Sequence, residues 1–391
     1  MKFSKWMLAS FASVLLLGAC TPSVSKDSEL MQQSDDEDVE TTHIPNMQLS
    51  DNYYKTLVPY KESATRGLVV SNINTKYDLK EVENGLMRIS QNVFSTDEFF
   101  FQEGQYLSRS TVENWLARPN QTLNEEESEQ GLNPSSVNEK TGEALPASEK
   151  AEKAPIYLAH IVEQNYLKKV GDNKIGLGGV SIGLALNSVY YYQLEQYGEY
   201  YERPIDDKEL IKEGEKIAQQ VIERLRARPE LADVPIVIGL FKQLEKNSIV
   251  PGTYLQYAVS DSGKSSLGEW KKIDEHFATF PMSSPEDKYR DMNQDFLNFK
   301  QDIDLYFSNF TSVIGTGFYQ NDEIQSLEIE IPIQFFGTAE VIGFTQYLTG
   351  VILDQLLKDI EITVSVTSVN GAEALIKKEP NDEDPFVHIY E

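Results

Sequence analysis

The amino-acid sequence predicts an α+β protein made of two related α+β units, with antiparallel or mixed sheets packed by amphipathic helices. Three observations predict it. A strand, long helix, strand pattern occurs twice, about 145 residues apart. Two further segments place apolar residues at helical spacing. The 391 residues, 40% of them hydrophobic, are enough for two domains at roughly 150 residues each.

The elements follow in order. Leu79, Val82, Leu86, Ile89 and Val93 step by three and four, which predicts an amphipathic helix. Residues 180–192 are apolar, β-branched and aromatic and read as a strand. A helix over 207–227 carries Leu210, Ile217, Val221 and Leu225, and a strand follows at 235–241. The pattern returns in the alternating strand 327–336, a helix over 338–357 with Tyr347, Leu348, Val351 and Leu356, and a strand at 360–366. This suggests an internal duplication, with units at 51–250 and 251–391.

Between the repeats runs the longest stripe: Tyr289, Met292, Phe296, Phe299, Ile303, Tyr306 and Phe310. Ser284 is its candidate N-cap, with Pro285 in the first turn and Glu286 and Asp287 after it. An aromatic stripe of this spacing is read as the buried face of a helix rather than a ligand groove. Short strands at 374–378 and 386–390, joined by a turn at Pro380, Asn381 and Asp382, are expected to close the chain.

The N-terminus carries the clearest signal. Lys2 and Lys5 precede an apolar run over 6–17, and Leu17, Gly18, Ala19 and Cys20 end it. This is the three-part layout of a secretory signal, too short for the ~20 residues of a membrane-spanning helix. Its end is a lipobox, in which small residues admit an extended strand to the peptidase. Cleavage is expected between Ala19 and Cys20, with a diacylglyceryl group on the Cys20 sulfur. That places the mature chain, anchored by acyl chains, on the extracytoplasmic face of the membrane. Residues 20–50 hold seven Asp and Glu against Lys26 and few large apolar groups, so they read as an acidic, disordered tether. Residues 119–153 are similarly polar and read as a solvated loop.

Chemistry is less marked. With 62 Asp and Glu against 35 Lys and Arg, net −27, the chain repels phosphate backbones, so no nucleic-acid partner is expected. Its one cysteine excludes a disulfide framework or thiolate metal site. The histidines, His43, His160, His276 and His388, show no metal-ligand spacing, and no metal or cofactor is expected. Gly179, Ser181 and Gly183 match G-x-S-x-G, and His276 and His388 lie downstream. The motif needs a strand-to-helix turn, whereas the residues after Gly183 read as more strand. The glycines from 176 lack the dinucleotide fingerprint spacing. Paired carboxylates for hydrolysis cannot be picked out by spacing among 62 acids. An envelope hydrolase of peptides or glycans, or an adhesion protein, therefore stands as the alternative to a non-enzymatic body. Tyr190, Tyr191, Tyr192, Phe335 and Phe336 are the pocket candidates for a small apolar or peptide ligand.

Several strings also resemble one family. They are the stretch from Asp51 to Ser63, Gly183-Leu-Ala-Leu-Asn-Ser-Val-Tyr-Tyr-Tyr, Pro251-Gly-Thr-Tyr, Tyr306-Phe-Ser-Asn-Phe-Thr, Phe336-Gly-Thr-Ala-Glu-Val-Ile-Gly-Phe-Thr-Gln-Tyr and Val387-His-Ile-Tyr. The chain resembles the CamS-type sex-pheromone lipoproteins of Gram-positive bacteria. The resemblance implies a released signal peptide trimmed to a short apolar pheromone, and a lipidated body of two repeats with no assigned enzymatic activity. Here the pheromone segment would be Ser13, Val14, Leu15, Leu16, Leu17, Gly18 and Ala19. It departs at most positions from the family's Ala-Ile-Phe-Ile-Leu-Ala-Ala peptide.

Overall fold

The computed structural model describes residues 29–33, 39–45, 49–50, 52–68, 72–119, 130–138, 140–171, 173–306, 312–334 and 337–390. The first half begins with strands β1 (Glu29–Gln33), β2 (Val39–His43) and β3 (Lys55–Thr56). Helix α1 (Lys76–Ser90), strand β4 (Phe100–Glu103) and helices α2 (Arg109–Leu116) and α3 (Ala147–Lys153) follow. A long antiparallel hairpin comes next, β5 (Leu158–Gly171) and β6 (Lys174–Asn187). A two-stranded ribbon, β7 (Val189–Gln193) with β8 (Tyr200–Pro204), leads into helix α4 (Asp207–Arg226). Strands β9 (Ile236–Gln243), β10 (Thr253–Ser260) and β11 (Lys271–Lys272) complete the first sheet.

That sheet runs β11-β10-β9-β6-β5-β4-β3, and β6 pairs in parallel with β9 from Val180↔Ile236 to Asn187↔Gln243. Helix α4 is the crossover that a parallel pair requires. Its limits are written locally. Asp206 accepts a hydrogen bond from the Glu209 N–H at 2.9 Å, Asp207 and Glu209 lie in the first turn, and Arg224 and Arg226 lie in the last. Leu210, Ile217, Val221 and Leu225 face inward, as their spacing predicts. They meet Val180, Ile182, Leu184 and Leu186 of β6. Helix α1 covers the opposite face with Val82, Leu86 and Ile89, against Tyr166, Val237 and Tyr254. Covered on both faces, β6 and β9 are near-continuous apolar runs.

The second half comprises β12 (Glu275–Phe280), α5 (Arg290–Tyr306), β13 (Ile314–Gln320), β14 (Glu323–Pro332), α6 (Thr338–Gln355), β15 (Glu361–Ser368), β16 (Gly371–Lys378) and β17 (Phe386–Ile389). Its sheet keeps the order β12 to β17, with one parallel pair, β14 and β15, bridged by α6. Both sheets thus contain an antiparallel hairpin, a helical crossover, a parallel strand and a further antiparallel strand. They differ in their layers. In the second sheet α5 and α6 share one core, and the other face is open: Leu327, Ile329 and Ile331 are buried while Glu328 and Glu330 are exposed.

Four expectations are revised. The sheets change after Lys272 rather than at residue 250, because 253–260 pair antiparallel with β9 through a bulge near Tyr254. Strands β1 and β2 occupy part of the expected tether, and β1 pairs with β6 at Met31↔Lys174 and Gln32↔Ile175. An open strand edge recruits main-chain partners whatever their side-chain composition. Within 119–153, α3 and a bridge between Val137 and Ala144 break the expected loop. The long stripe starts its α-helix at Arg290 after a 3-10 turn at Asp287–Tyr289, so Ser284 is not its cap. Its Tyr289, Met292, Phe296, Phe299 and Ile303 are core, Tyr306 is 39% exposed, and Phe310 lies outside the described residues.

Arg88 joins the units. Its guanidinium bonds Glu275 of β12 at 2.6 and 3.0 Å and Glu81 at 2.6 Å, and lies 4.6 Å from the Phe318 ring centroid. Gln320 Nε2 donates to the same Glu275 carboxylate at 2.8 Å.

Candidate functional site

Residues 13–20, which hold the expected pheromone segment and Cys20, lie outside the described residues, as do Phe335 and Phe336. Tyr190, Tyr191 and Tyr192 are described. At Ser188 the chain leaves the sheet, so the strand expected over 180–192 becomes two. Strand alternation then sends Tyr190 and Tyr192 to one face of the ribbon. Their rings stack 5.9 Å apart at 8°, and Tyr192 meets Tyr201 of β8 at 5.7 Å. Tyr190, Tyr192, Lys150 and Glu195 help to line an open cavity of about 300 Å³. Tyr191 faces away, where its hydroxyl accepts from the Lys246 N–H at 3.1 Å and Lys246 Nζ lies 4.3 Å from the ring centroid.

The G-x-S-x-G match is a packing feature. Ser181 is fully buried in mid-strand and accepts a hydrogen bond from Ser90 Oγ at 2.7 Å. No elbow exposes its hydroxyl, and His276 stacks on Tyr319 of the other unit at 5.0 Å, while His388 lies on the edge strand β17. The glycines make room for rings. A Cβ at Gly179 would stand 2.1 Å from the Phe94 ring, and one at Gly183 would stand 2.4 Å from Tyr254 Oη. The Ser181 hydrolase alternative is overturned by this burial.

A second concavity, which spacing did not reveal, lies where β4 ends beside β5. It encloses about 300 Å³ and is bounded by the 60–67 segment, α1, β4 and residues 160–164 of β5. Glu103 organises its mouth. Tyr60 Oη donates to Glu103 Oε1, Arg66 Nη2 reaches the same oxygen at 3.0 Å, and the Ser63 N–H reaches Oε2 at 2.7 Å. Arg66 also bonds Glu62 at 3.0 Å.

Deeper in, Glu163 sits buried with its carboxylate accepting the N–H groups of Gln105, Tyr106 and Leu107 at 2.8 to 3.2 Å. Burial raises its carboxyl, and those backbone donors oppose the shift. His160 is 2% exposed, its Nδ1 has no hydrogen-bond partner, and burial lowers its pKa to about 4. The imidazole is therefore neutral near pH 7. Glu83 is an exposed residue whose carboxyl is raised by partial desolvation, helped by the Glu103 charge and opposed by Arg66. The one readable signal was polar: Glu163, Gln164 and Asn165 interrupt a strand that is otherwise apolar enough for a core. The contributing segments are up to about 100 residues apart, which hides the grouping from any local pattern.

Among the described residues no group of three or more His, Cys, Asp or Glu could hold a metal ion, and no helix is long and apolar enough to cross a membrane.

Comparison with known proteins places this architecture. No curated protein sequence matches the chain. Two solved structures are similar over most of it. The sex pheromone precursor from Lactobacillus salivarius subsp. salivarius UCC118 is 30% identical, with a TM-score of 0.80, over 90% of this chain and 99% of that one. The C-terminal domain of the sex pheromone staph-cAM373 precursor from Staphylococcus aureus is 32% identical, with a TM-score of 0.70, over 82% and 98%. The family model described as CamS sex pheromone cAM373 precursor matches residues 60–384, a span that holds every strand from β4 to β16. The chain belongs to the CamS sex pheromone cAM373 precursor family.

Proposed function

We propose that the chain is a surface lipoprotein whose leader doubles as a peptide precursor. Signal peptidase cuts between Ala19 and Cys20, and a diacylglyceryl group on Cys20 holds the body to the extracytoplasmic face of a Gram-positive membrane. The freed leader yields the apolar heptapeptide of residues 13–19 as a pheromone. The body stays behind as a non-enzymatic module that holds a small ligand. The observation that carries this is the pairing of a lipobox at the chain's single cysteine with a family match over residues 60–384. The two similar structures, themselves sex pheromone precursors, support it. An uncharged heptapeptide suits the role physically, since it can partition through an envelope and fill an apolar sensor pocket.

Two assays test the reading. Labelled palmitate should enter the wild type and not Cys20→Ala; equal labelling would refute the anchor. A synthetic peptide of residues 13–19 should induce clumping in responder cells, and silence across a wide dose range would refute the pheromone.

A further inference from the structure

The β5–β6 hairpin outruns the sheet that holds it. On one side β4 pairs with β5 no further than Phe100↔Leu167, and on the other β9 pairs with β6 only from Val180 onward. At about 3.3 Å per residue, Lys174 stands roughly 20 Å beyond the Val180 end of the β6–β9 pairing. This projecting end is basic, in a chain of net charge −27. Lys168, Lys169 and Lys174 are exposed, and Val170 between them is 59% exposed. None of the three lysines makes an ion pair among the described residues. Asp172 is the one acid between Lys168 and Lys174 in sequence. Lys168 and Lys169 also share a hollow with Lys55, Asp97 and Glu98, where lysines again outnumber acids.

Strand β1 supplies the second observation. It runs parallel to β6, with Met31 opposite Lys174 and Gln32 opposite Ile175, so Leu30 and Glu29 lead back past Lys174 toward the hairpin turn. Backbone pairing fixes that exit. Glu29 pairs with His43, and His43 exchanges backbone hydrogen bonds with Val58 at 2.7 and 2.9 Å. Only residues 20–28 separate the Cys20 sulfur from Glu29, and a chain of that length spans at most about 32 Å. A lipid on Cys20 would therefore hold the basic end of the body, rather than its acidic remainder, beside the bilayer.

We propose that the β5–β6 tip is the membrane-facing end of the body, and that Lys168, Lys169 and Lys174 dock on anionic lipid headgroups with Val170 at the headgroup boundary. The inference rests on the reading of Cys20 as the lipid anchor, and adds to it the orientation of the body and the headgroup class. Near an anionic surface each lysine is worth about a fivefold preference, so the tip, net of Asp172, favours contact by on the order of 30-fold. A bias of that size orients an anchored chain without capturing a free one.

The test supplies the anchor chemically. The chain from Cys20 onward, which contains every described residue, is coupled through its single thiol to a maleimide lipid. The vesicles are phosphatidylcholine with or without phosphatidylglycerol, and lysine acetylation is followed by mass spectrometry. Lys208 and Lys212 of α4 are the internal controls: both are exposed, and Asp207 beside them pairs with Lys242 opposite Leu186, at the far end of β6. With phosphatidylglycerol, acetylation of Lys168, Lys169 and Lys174 should slow at least about threefold relative to the controls. Without it, or at about 1 M salt, the difference should vanish. Lys168→Gln combined with Lys169→Gln, both at exposed sites, should return Lys174 to the control rate. Absence of slowing, equal slowing on both kinds of vesicle, slowing of the α4 lysines alongside the tip, or persistence in the Gln variant would each overturn the proposal. Because the coupling does not depend on lipidation in the cell, failure here leaves the anchor standing, and failure of the palmitate assay leaves this result readable.

Discussion

Replacing Gly183 by alanine tests whether the G-x-S-x-G segment exists for packing. In β6 this glycine lies under the Tyr254 side chain, which is 1% exposed and whose hydroxyl donates to the Val82 carbonyl of α1 at 2.7 Å. A Cβ there would stand 2.4 Å from Tyr254 Oη and 3.3 Å from Leu86 Cδ2. Gly85 and Gly239 crowd the same ring, with Cβ positions 2.9 and 2.7 Å from it, so the ring has nowhere to retreat. Overpacking of this kind costs about 1–3 kcal/mol, and displacing a buried hydroxyl from its acceptor adds about 1 kcal/mol more. Alanine recovers roughly 0.5–1 kcal/mol of the backbone entropy that glycine loses in a strand. The expected net loss for Gly183→Ala is about 1–3.5 kcal/mol.

The assay is a double-mutant cycle in urea with Tyr254→Phe, which removes the oxygen that the new methyl would strike. Tyr254→Phe alone should cost about 1 kcal/mol. In that background Gly183→Ala should cost at least about 1 kcal/mol less than in the wild type. Strict additivity, or a harmless Gly183→Ala, would refute the packing explanation.

Further outcomes are expected. Ser181→Ala should lower stability by about 1 kcal/mol, through the lost Ser90 contact, and fluorophosphonate labelling of the wild type at Ser181 would contradict its burial. Arg88→Met leaves Glu81 and Glu275 unpaired, with side chains 10% and 6% exposed, and should cost about 3–5 kcal/mol in urea denaturation; a loss below about 1 kcal/mol would show the junction contributes little. His160 binds its proton at about pH 4 when folded and near 6.5 when unfolded, so the unfolded chain takes up more protons in between. Stability should therefore fall as pH drops from about 6.5 to about 4, by on the order of 3 kcal/mol from this group, and His160→Gln should remove that component. The raised carboxyls of Asp78, Glu81 and Glu163 act with the opposite sign and cancel in the comparison, which is read from unfolding free energies at stepped pH; identical pH profiles would refute the assignment.

Much of the fold was legible because it rests on local periodicity. Alternation along Leu327, Ile329 and Ile331 needs one buried face and nothing more. The steps of Leu210, Ile217, Val221 and Leu225 similarly fix the inward side of α4. The lipobox expected at residues 17–20 is local in the same sense, since it rests on four neighbouring side chains and on no fold. The sequence by itself therefore determined the four long helices and the repeated crossover plan, whereas the short helices α2 and α3 were not read from it.

Tertiary structure decided what depends on distant partners. Lys377 and Lys378 are neighbours with equal charge, yet they point to opposite faces of β16. Lys377 pairs with Glu361 and Glu379 in solvent, while Lys378 is 1% exposed, and its ammonium donates to the Lys358 carbonyl at 2.7 Å. Ser181 fits a hydrolase by spacing and is excluded by burial, because pairing with β5 and β9 and the cover of α1 enclose it. The β4–β5 cavity draws on residues from 60 to 164, which meet where the pairing of β4 with β5 ends at Glu103 and Gln164. Register and strand length are set by long-range backbone pairing, and no window of neighbouring residues contains them.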